Sequence, residues 1–241
     1  MLRIPVSVLS IGETILDPQA SRYAARVHRV AIGDELLLFE PALAREAIAT
    51  VLAVTREGVR CRVGEIRAAS VRARRSVTLV QGIGKGDKLD AVVRDATELG
   101  ATRVIAAETV RGQVKLGGRA EQRMRRLRRI AAEAARQCGR GDVPDLMGPL
   151  PWAAALRHAA LPTGLSLCLW ERATDPIGPK LRALGVEEPL VLAVGAEGGL
   201  EDVEIGAARS LGYAVVSLGP FILRTETVAA AVLGAALLIS A

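Results

Sequence analysis

Arg224, Thr225 and Glu226 set a cation, a hydroxyl and a carboxylate in consecutive positions, shortly after a loop that carries Gly219. Upstream, Gly195, Gly198 and Gly199 surround Glu197 in a second loop. Glycine admits positive φ and lets a ligand approach main-chain N–H and C=O groups closely. The two loops are therefore suited to clasp a small molecule by backbone, with the charged trio beside it. A second chemistry lies in residues 119–140, where eight arginines stand against two glutamates. Met124, Leu127, Ile130, Ala131 and Ala134 recur at three- and four-residue steps and mark the buried stripe of a helix. That leaves Arg123, Arg125, Arg126, Arg128 and Arg129 on the remaining surface, where guanidinium forks can take phosphate oxygens bidentately. A solvated face is the plainer alternative. The loop QGIGKGDK from Gln81 to Lys88 lacks the GK[ST] ending of a Walker A loop and the spacing of a dinucleotide fingerprint. Nucleotide hydrolysis is set aside on that ground; Lys85 and Lys88, at a helix start, are placed to receive a phosphate or a carboxylate, with solvation the slightly favoured alternative.

Positioning these groups takes strands and helices in alternation. Runs from Val77 to Ile83, Thr102 to Glu108, Leu165 to Glu171, Pro189 to Gly195 and Ala214 to Gly219 read as strands. Helices are expected between them, including Gly86 to Leu99 and Arg119 to Cys138, closed by Gly100 and Gly139. Repeated βα units predict a largely parallel sheet covered on both faces, whose carboxyl-end loops are where ligands sit. Residues 1–70 read differently. Glu35 to Glu40, Arg45 to Val54 and Gly58 to Ile66 are short strands separated by turn signals, and Ala20 to Val30 is a basic helical stretch with Arg22, Arg26, His28 and Arg29. Together they predict a small barrel domain, with the boundary placed between Ala68 and Arg75.

Composition narrows the class. The net charge is +6, concentrated in the first 140 residues, which favours a polyanionic partner. Half the residues are apolar but Phe, Tyr and Trp occur twice each, so the core must be Ala, Val, Leu and Ile. Cys61, Cys138 and Cys168 are odd in number and widely spaced, which argues against a disulfide framework or zinc site and fits a reducing cytoplasm. The N-terminus carries no signal-peptide core. The apolar tail from Thr227 to Ala241 is too short to span a bilayer and is read as a buried helix.

The chain resembles the RsmE family of SPOUT-class methyltransferases, which modify N3 of a uridine in small-subunit ribosomal RNA. The matching pieces are KGDKLDAVVRDATELG (Lys85 to Gly100), EAARQCGR (Glu133 to Arg140) followed by Val143-Pro144, EGG with Glu204, and Leu218-Gly219 with ILRTET (Ile222 to Thr227). They occur in the family's order. The resemblance implies an α/β fold: a SPOUT-type parallel sheet with a C-terminal trefoil knot over residues 76–241, preceded by a small PUA-like β-barrel over residues 1–70 that binds RNA. It implies S-adenosylmethionine as cofactor, held largely by main-chain groups of three loops. Here these are Leu169, Trp170 and Glu171; Val194, Gly195, Glu197, Gly198 and Gly199; and Ser217, Leu218, Gly219, Ile222 and Leu223, with Thr227 beyond. It also implies a homodimer, with knot-region helices packed across the two-fold. This sequence departs from the family's GPEGGFS, read here as Gly195-Ala196-Glu197-Gly198-Gly199-Leu200-Glu201. Phe221 replaces a residue that is commonly basic, and Val110-Arg111-Gly112-Gln113-Val114-Lys115 stands where ERSVVK is frequent.

For that chemistry the uracil N3 must lose its proton, and the negative charge then spreads onto the flanking carbonyl oxygens. Arg224 is the expected cation for that charge, with Glu226 orienting it or helping to remove the proton. A structural pair between Arg224 and Glu226 is the alternative. Arg22, Arg26, Arg123 and Arg126 are expected to hold the RNA backbone, and Arg136, Gln137 and Arg140 to position the base or a phosphate. Other readings are a different SPOUT enzyme acting on a ribose hydroxyl or a tRNA base, a non-catalytic RNA-binding protein on the same scaffold, and, more remotely, a nicotinamide-dependent enzyme.

Overall fold

The structure is a computed structural model that describes residues 1–112 and 117–239. Two compact units emerge, one of Met1–Arg72 with Ala135–Val143, the other of Ala73–Ala134 with Pro144–Ala241. Residues Gln113, Val114 and Lys115 of the departing segment, and the last two residues of the tail, lie outside the described residues.

In the first unit β1 (Leu2–Pro5), β2 (Gly12–Ile15), β3 (Glu35–Glu40), β4 (Arg45–Val54) and β5 (Val59–Val63) form one sheet in the order β1-β3-β4-β5-β2, with β6 (Arg67–Ala68) paired to β4. In β5 the alternation is strict: Val59, Cys61 and Val63 are buried while Arg60 and Arg62 face solvent, the period of a half-buried strand. The expected helix is shorter. Asp17 caps α1 (Pro18–Arg22) through the N–H groups of Gln19 and Ala20, and the chain then loosens into a π-turn over Tyr23–Val27. Strands β1, β2 and β6 were not expected, because runs of two to four residues show too little alternation to read.

The inclusion of Ala135–Val143 in this unit has a local cause. Arg3 donates to the Arg140 carbonyl at 3.1 Å, and the Gly141 N–H donates to the Val71 carbonyl at 2.8 Å.

The second unit is a parallel sheet of β7 (Val77–Gly82), β8 (Arg103–Glu108), β9 (Asp145–Pro151), β10 (Leu165–Leu169), β11 (Leu190–Val194) and β12 (Ala214–Val216), in the order β12-β10-β11-β7-β8-β9. Strand β9 was not expected either. Its sequence, DLMGPLP, contains two prolines and a glycine, all poor strand formers. Gly148 is needed there: a Cβ would lie 2.4 Å from the Ala106 carbonyl oxygen of the neighbouring strand.

Between the strands run α2 (Lys88–Glu98), α3 (Ala120–Cys138), α4 (Trp152–Ala159), α5 (Ile177–Ala183), α6 (Asp202–Ser210) and α7 (Thr225–Ile239). Helices α4 and α6 supply Trp152, Leu156, Ile205 and Ala208 to a core against Val80, Ile105, Cys168 and Val191. The alternate strand residues Leu79, Leu190 and Leu192 are equally buried, so the sheet is covered on both faces. Helix α7 packs on α2, α5 and β11, which brings the end of the described chain back against the middle of the sheet. Cys61 and Cys168 are free thiols in the two cores, and burial pushes the Cys168 thiol up to about 12.

Candidate active site

The carboxyl ends of β7 and β11 meet the start of α7 at a buried polar network. Gln81, near the end of β7, donates through Nε2 to Thr225 Oγ1 at 2.8 Å and to the Gly195 carbonyl at 3.3 Å. Thr225 Oγ1 in turn donates to the same carbonyl at 2.6 Å. Both side chains are buried, so each bond is made where water cannot substitute for it. The contact is close: a Cβ on Gly82 would lie 2.3 Å from the Ala196 nitrogen, which only glycine avoids. Gln81 was missed in the sequence, although a buried amide at the end of an apolar strand is a signal that it has a partner.

Around this network opens a cavity of about 730 Å³, within the size range of small-molecule sites. Its walls are the three glycine-bearing or aromatic loops. Leu169, Trp170 and Glu171 follow β10; Val194, Gly195, Glu197, Gly198 and Gly199 follow β11; Ser217, Leu218, Gly219, Ile222 and Leu223 follow β12. Gly219 has φ +153° with nothing within 4 Å of where a Cβ would stand, so its backbone faces open space. Thr227 is exposed on the first turn of α7 and is not part of the wall.

Arg224 lines the cavity and is exposed, whereas Glu226 is half-buried and lies off the wall. Among the described residues no ion pair joins them, so the structural-pair alternative is not what the geometry holds. One carboxylate oxygen of Glu226 is buried without a hydrogen-bond partner among the described residues.

Glu197 is the fixed charge on the β11 side. Burial opposes its ionisation, but the Lys88 ammonium at 2.9 Å, its own backbone N–H and that of Lys85 outweigh this and hold the carboxyl below its usual value. Lys88 therefore takes a carboxylate, one of the two alternatives read from the sequence, and not the favoured solvation. The N-terminus of α6 is pinned by Glu204, a buried carboxylate that accepts from the Val110 N–H at 3.0 Å and the Glu201 N–H at 2.9 Å. Nearby, Arg111 stands 3.4 Å from Glu201, one of the departures from the family pattern. On the third loop Phe221 and Ile222 are 79% and 86% exposed, an apolar rim on the cavity.

The residues expected to hold RNA are more dispersed. Arg22 and Arg26 are exposed on the first unit, and Gln137 is exposed at the end of α3. Arg136 stacks on the Tyr23 ring at 4.4 Å and donates to its hydroxyl. Arg140 is buried, and its guanidinium binds the Asp142 carboxylate at 2.6 Å. Arg123 and Arg126 both point to Asp90, at 2.9 Å and 2.5 Å. Among the described residues no group of side chains could hold a metal ion, and no helix is long and apolar enough to cross a membrane.

Residues 72–237 match the model of an RNA methyltransferase domain. The chain is 34% identical to the ribosomal RNA small subunit methyltransferase E of Mycobacterium bovis over 92% of this chain and 84% of that one. It is 30% identical to the Bacillus subtilis protein of the same name, over 76% and 73%. Among solved structures, the Neisseria gonorrhoeae ribosomal RNA small subunit methyltransferase E bound to S-adenosyl methionine superposes with a TM-score of 0.87 at 26% identity, covering 98% of this chain and 96% of that one. A Legionella pneumophila protein holding the bound cofactor SAM gives 0.86 at 29% identity, over 96% and 95%. Matched over most of its own length and most of its relatives' length, the chain belongs to the RsmE family of RNA methyltransferases.

Proposed function

We propose that this protein transfers a methyl group from S-adenosylmethionine to N3 of a uridine in small-subunit ribosomal RNA. The observation that carries the reading is the cavity walled by three loops at the carboxyl ends of β10, β11 and β12, in a chain whose relatives were solved with that cofactor. The walls fit the cofactor's chemistry. They offer main-chain groups, the Trp170 ring with a buried indole N–H lacking a partner among the described residues, and the carboxylates Glu171 and Glu197. The sequence holds neither a Walker A ending nor a dinucleotide fingerprint to favour a nucleotide instead.

Bound there, S-adenosylmethionine supplies a methyl on a sulfonium, and the protein's task is alignment and exclusion of water. The Gln81–Thr225–Gly195 network fixes the β11 loop against the start of α7, and with it the position of Arg224. Arg224, on the wall, is assigned to the negative charge that develops on the uracil carbonyl oxygens as N3 loses its proton. Glu226 lies off the wall and makes no ion pair with Arg224 among the described residues, so the orienting role is not assigned to it.

Several further features complete the reading. The return of α7 against α2 and β11 supports a trefoil knot, one of the rare threaded topologies. The six-stranded sheet of the first unit supports a PUA-like barrel that binds RNA, with Arg22 and Arg26 on its exposed turn. Arg123, Arg126, Arg136 and Gln137 add to the RNA contacts. Exposed Phe221, Ile222 and Leu238 support a homodimer, since apolar rims of this kind are commonly covered by a partner. The substrate places the enzyme where ribosomes are made, in the cytoplasm. Two measurements test the function: calorimetry with S-adenosylmethionine, and mapping of modified nucleosides in small-subunit ribosomal RNA from cells with and without the gene. Persistence of every N3-methyluridine in cells lacking the gene would refute the proposal.

A further inference from the structure

A second cavity, of about 680 Å³, lies within the second unit between the Ile83–Gly86 loop and α3. Its wall carries Arg119, Arg123, Arg125, Arg126 and Arg129, and among the described residues no carboxylate lines it. The floor is main chain, at Gly84 and Gly86, and Arg123 donates to the Gly86 carbonyl at 3.1 Å.

These arginines are not equivalent. Asp90, on α2 and almost buried, takes Arg123 on one oxygen and Arg126 on the other. Arg126 remains half exposed, so its outer edge is free to face the groove in a preset orientation. Arg125 and Arg129 meet only exposed glutamates on their own helix, at 3.9 Å each, contacts that hold little in water. Arg119 is exposed at the start of the helix. One carboxylate thus orders two guanidinia, and three more, at most weakly paired among the described residues, stand around a concave surface. Such a surface attracts repeated anionic groups more than a single anion. The loop that floors this groove also supplies the Lys85 N–H that, with Lys88 at the start of α2, holds Glu197 on the wall of the first cavity.

We propose that this groove seats the phosphodiester backbone of the RNA substrate, with Arg119, Arg125 and Arg129 as contacting cations and with Arg123 and Arg126 preset by Asp90. The proposal rests on the RNA methyltransferase reading and deepens it. A backbone lying in the groove runs beside the loop shared with the cofactor cavity, which sets the register of the strand being presented. The contacts are sequence-independent, so base selection falls to other parts of the molecule.

The test is the triple variant Arg119→Gln, Arg125→Gln and Arg129→Gln, all at exposed positions. Binding of small-subunit ribosomal RNA is followed by fluorescence anisotropy across a salt series, without turnover. Each phosphate contact contributes roughly 0.7 to 0.9 to the slope of log affinity against log salt, so the triple variant is expected to flatten it by about 2. KM for RNA is expected to rise about tenfold with kcat and S-adenosylmethionine affinity unchanged, a pattern of lost uniform binding. The matching triple Arg→Lys variant is expected to restore the slope, because charge is retained. Arg157→Gln with Arg182→Gln, exposed elsewhere on the same unit, is expected to leave it unaltered. A wild-type slope in the Gln triple overturns the proposal. So does a slope loss that coincides with a change in sedimentation of the protein alone, which would make the groove a contact between copies. Failure of the wild-type protein to bind S-adenosylmethionine would instead sink the methyltransferase reading, while the groove is still judged by the slope.

Discussion

Both units bury polar groups next to a sheet, and they do so in opposite ways. In the first, Glu46 is fully buried and paired with Arg67 at 3.1 Å and Arg3 at 3.7 Å. In the second, the buried groups at the ends of β7 and β11 are a neutral amide, a hydroxyl and carbonyls, bonded at 2.6 to 3.3 Å. A buried ion pair roughly balances its desolvation cost and becomes a liability when one partner is lost. A neutral network carries a smaller cost and fixes geometry. The first arrangement suits a framework that only has to hold together. The second suits a place where loop positions must be set while the cavity beside them remains able to take a charged ligand.

The comparison can be broken or sharpened by substitution. The largest effect is expected on the functional side of the second unit. Arg224→Ala should lower kcat by about 100- to 1000-fold, equivalent to about 3–4 kcal/mol of transition-state stabilisation. Calorimetry should find cofactor affinity nearly unchanged; a large loss of affinity instead would make Arg224 a cofactor ligand. Next is the charged site of the first unit. Arg3→Ala leaves Glu46 with one partner and removes the stacking of Arg3 on Phe39, and is expected to cost about 3 kcal/mol in denaturant unfolding. A cost below about 1 kcal/mol would show that Glu46 does not depend on that pair.

Thr225→Val tests the neutral network with little change in volume. It should cost about 1–2 kcal/mol of stability and weaken cofactor binding, with Thr225→Ser retaining both. Equal behaviour of Val and Ser would mean the hydroxyl is dispensable. The smallest effect concerns Glu197. Its carboxyl is held below the ordinary value of 4.5, so its contribution to stability is present above that value and is lost as pH falls through the lowered one. Lys88→Gln should move the Glu197 titration upward, as followed by NMR; no movement would remove Lys88 as the cause.

The elements around the site differ in how legible they were. The glycine-flanked loops and the RTE trio could be read directly, since glycine at strand ends has few other uses and a parallel sheet follows from alternating patterns. The amphipathic stripe of α3 was equally plain, and Met124, Leu127, Ala131 and Ala134 are all buried. Strand β9 was hidden by its prolines, and Gln81 by the apolar run around it, because its role depends on a hydroxyl 144 residues away. The arginines of α3 could be counted but not sorted, since their inequality arises from Asp90 on another helix.

What the sequence determined by itself is therefore local: periodicity, glycine at the loops, charge concentrated in one helix, and a set of motifs in family order. The tertiary structure alone decided which polar groups share a partner. Lys88 is held by Glu197, Arg140 is paired with Asp142, and Arg224 and Glu226 stand apart although a single residue separates them. The physical reason is range. Backbone preferences act over a few residues, whereas hydrogen bonds and ion pairs act over a few ångströms, and only the folded chain determines which residues lie that close.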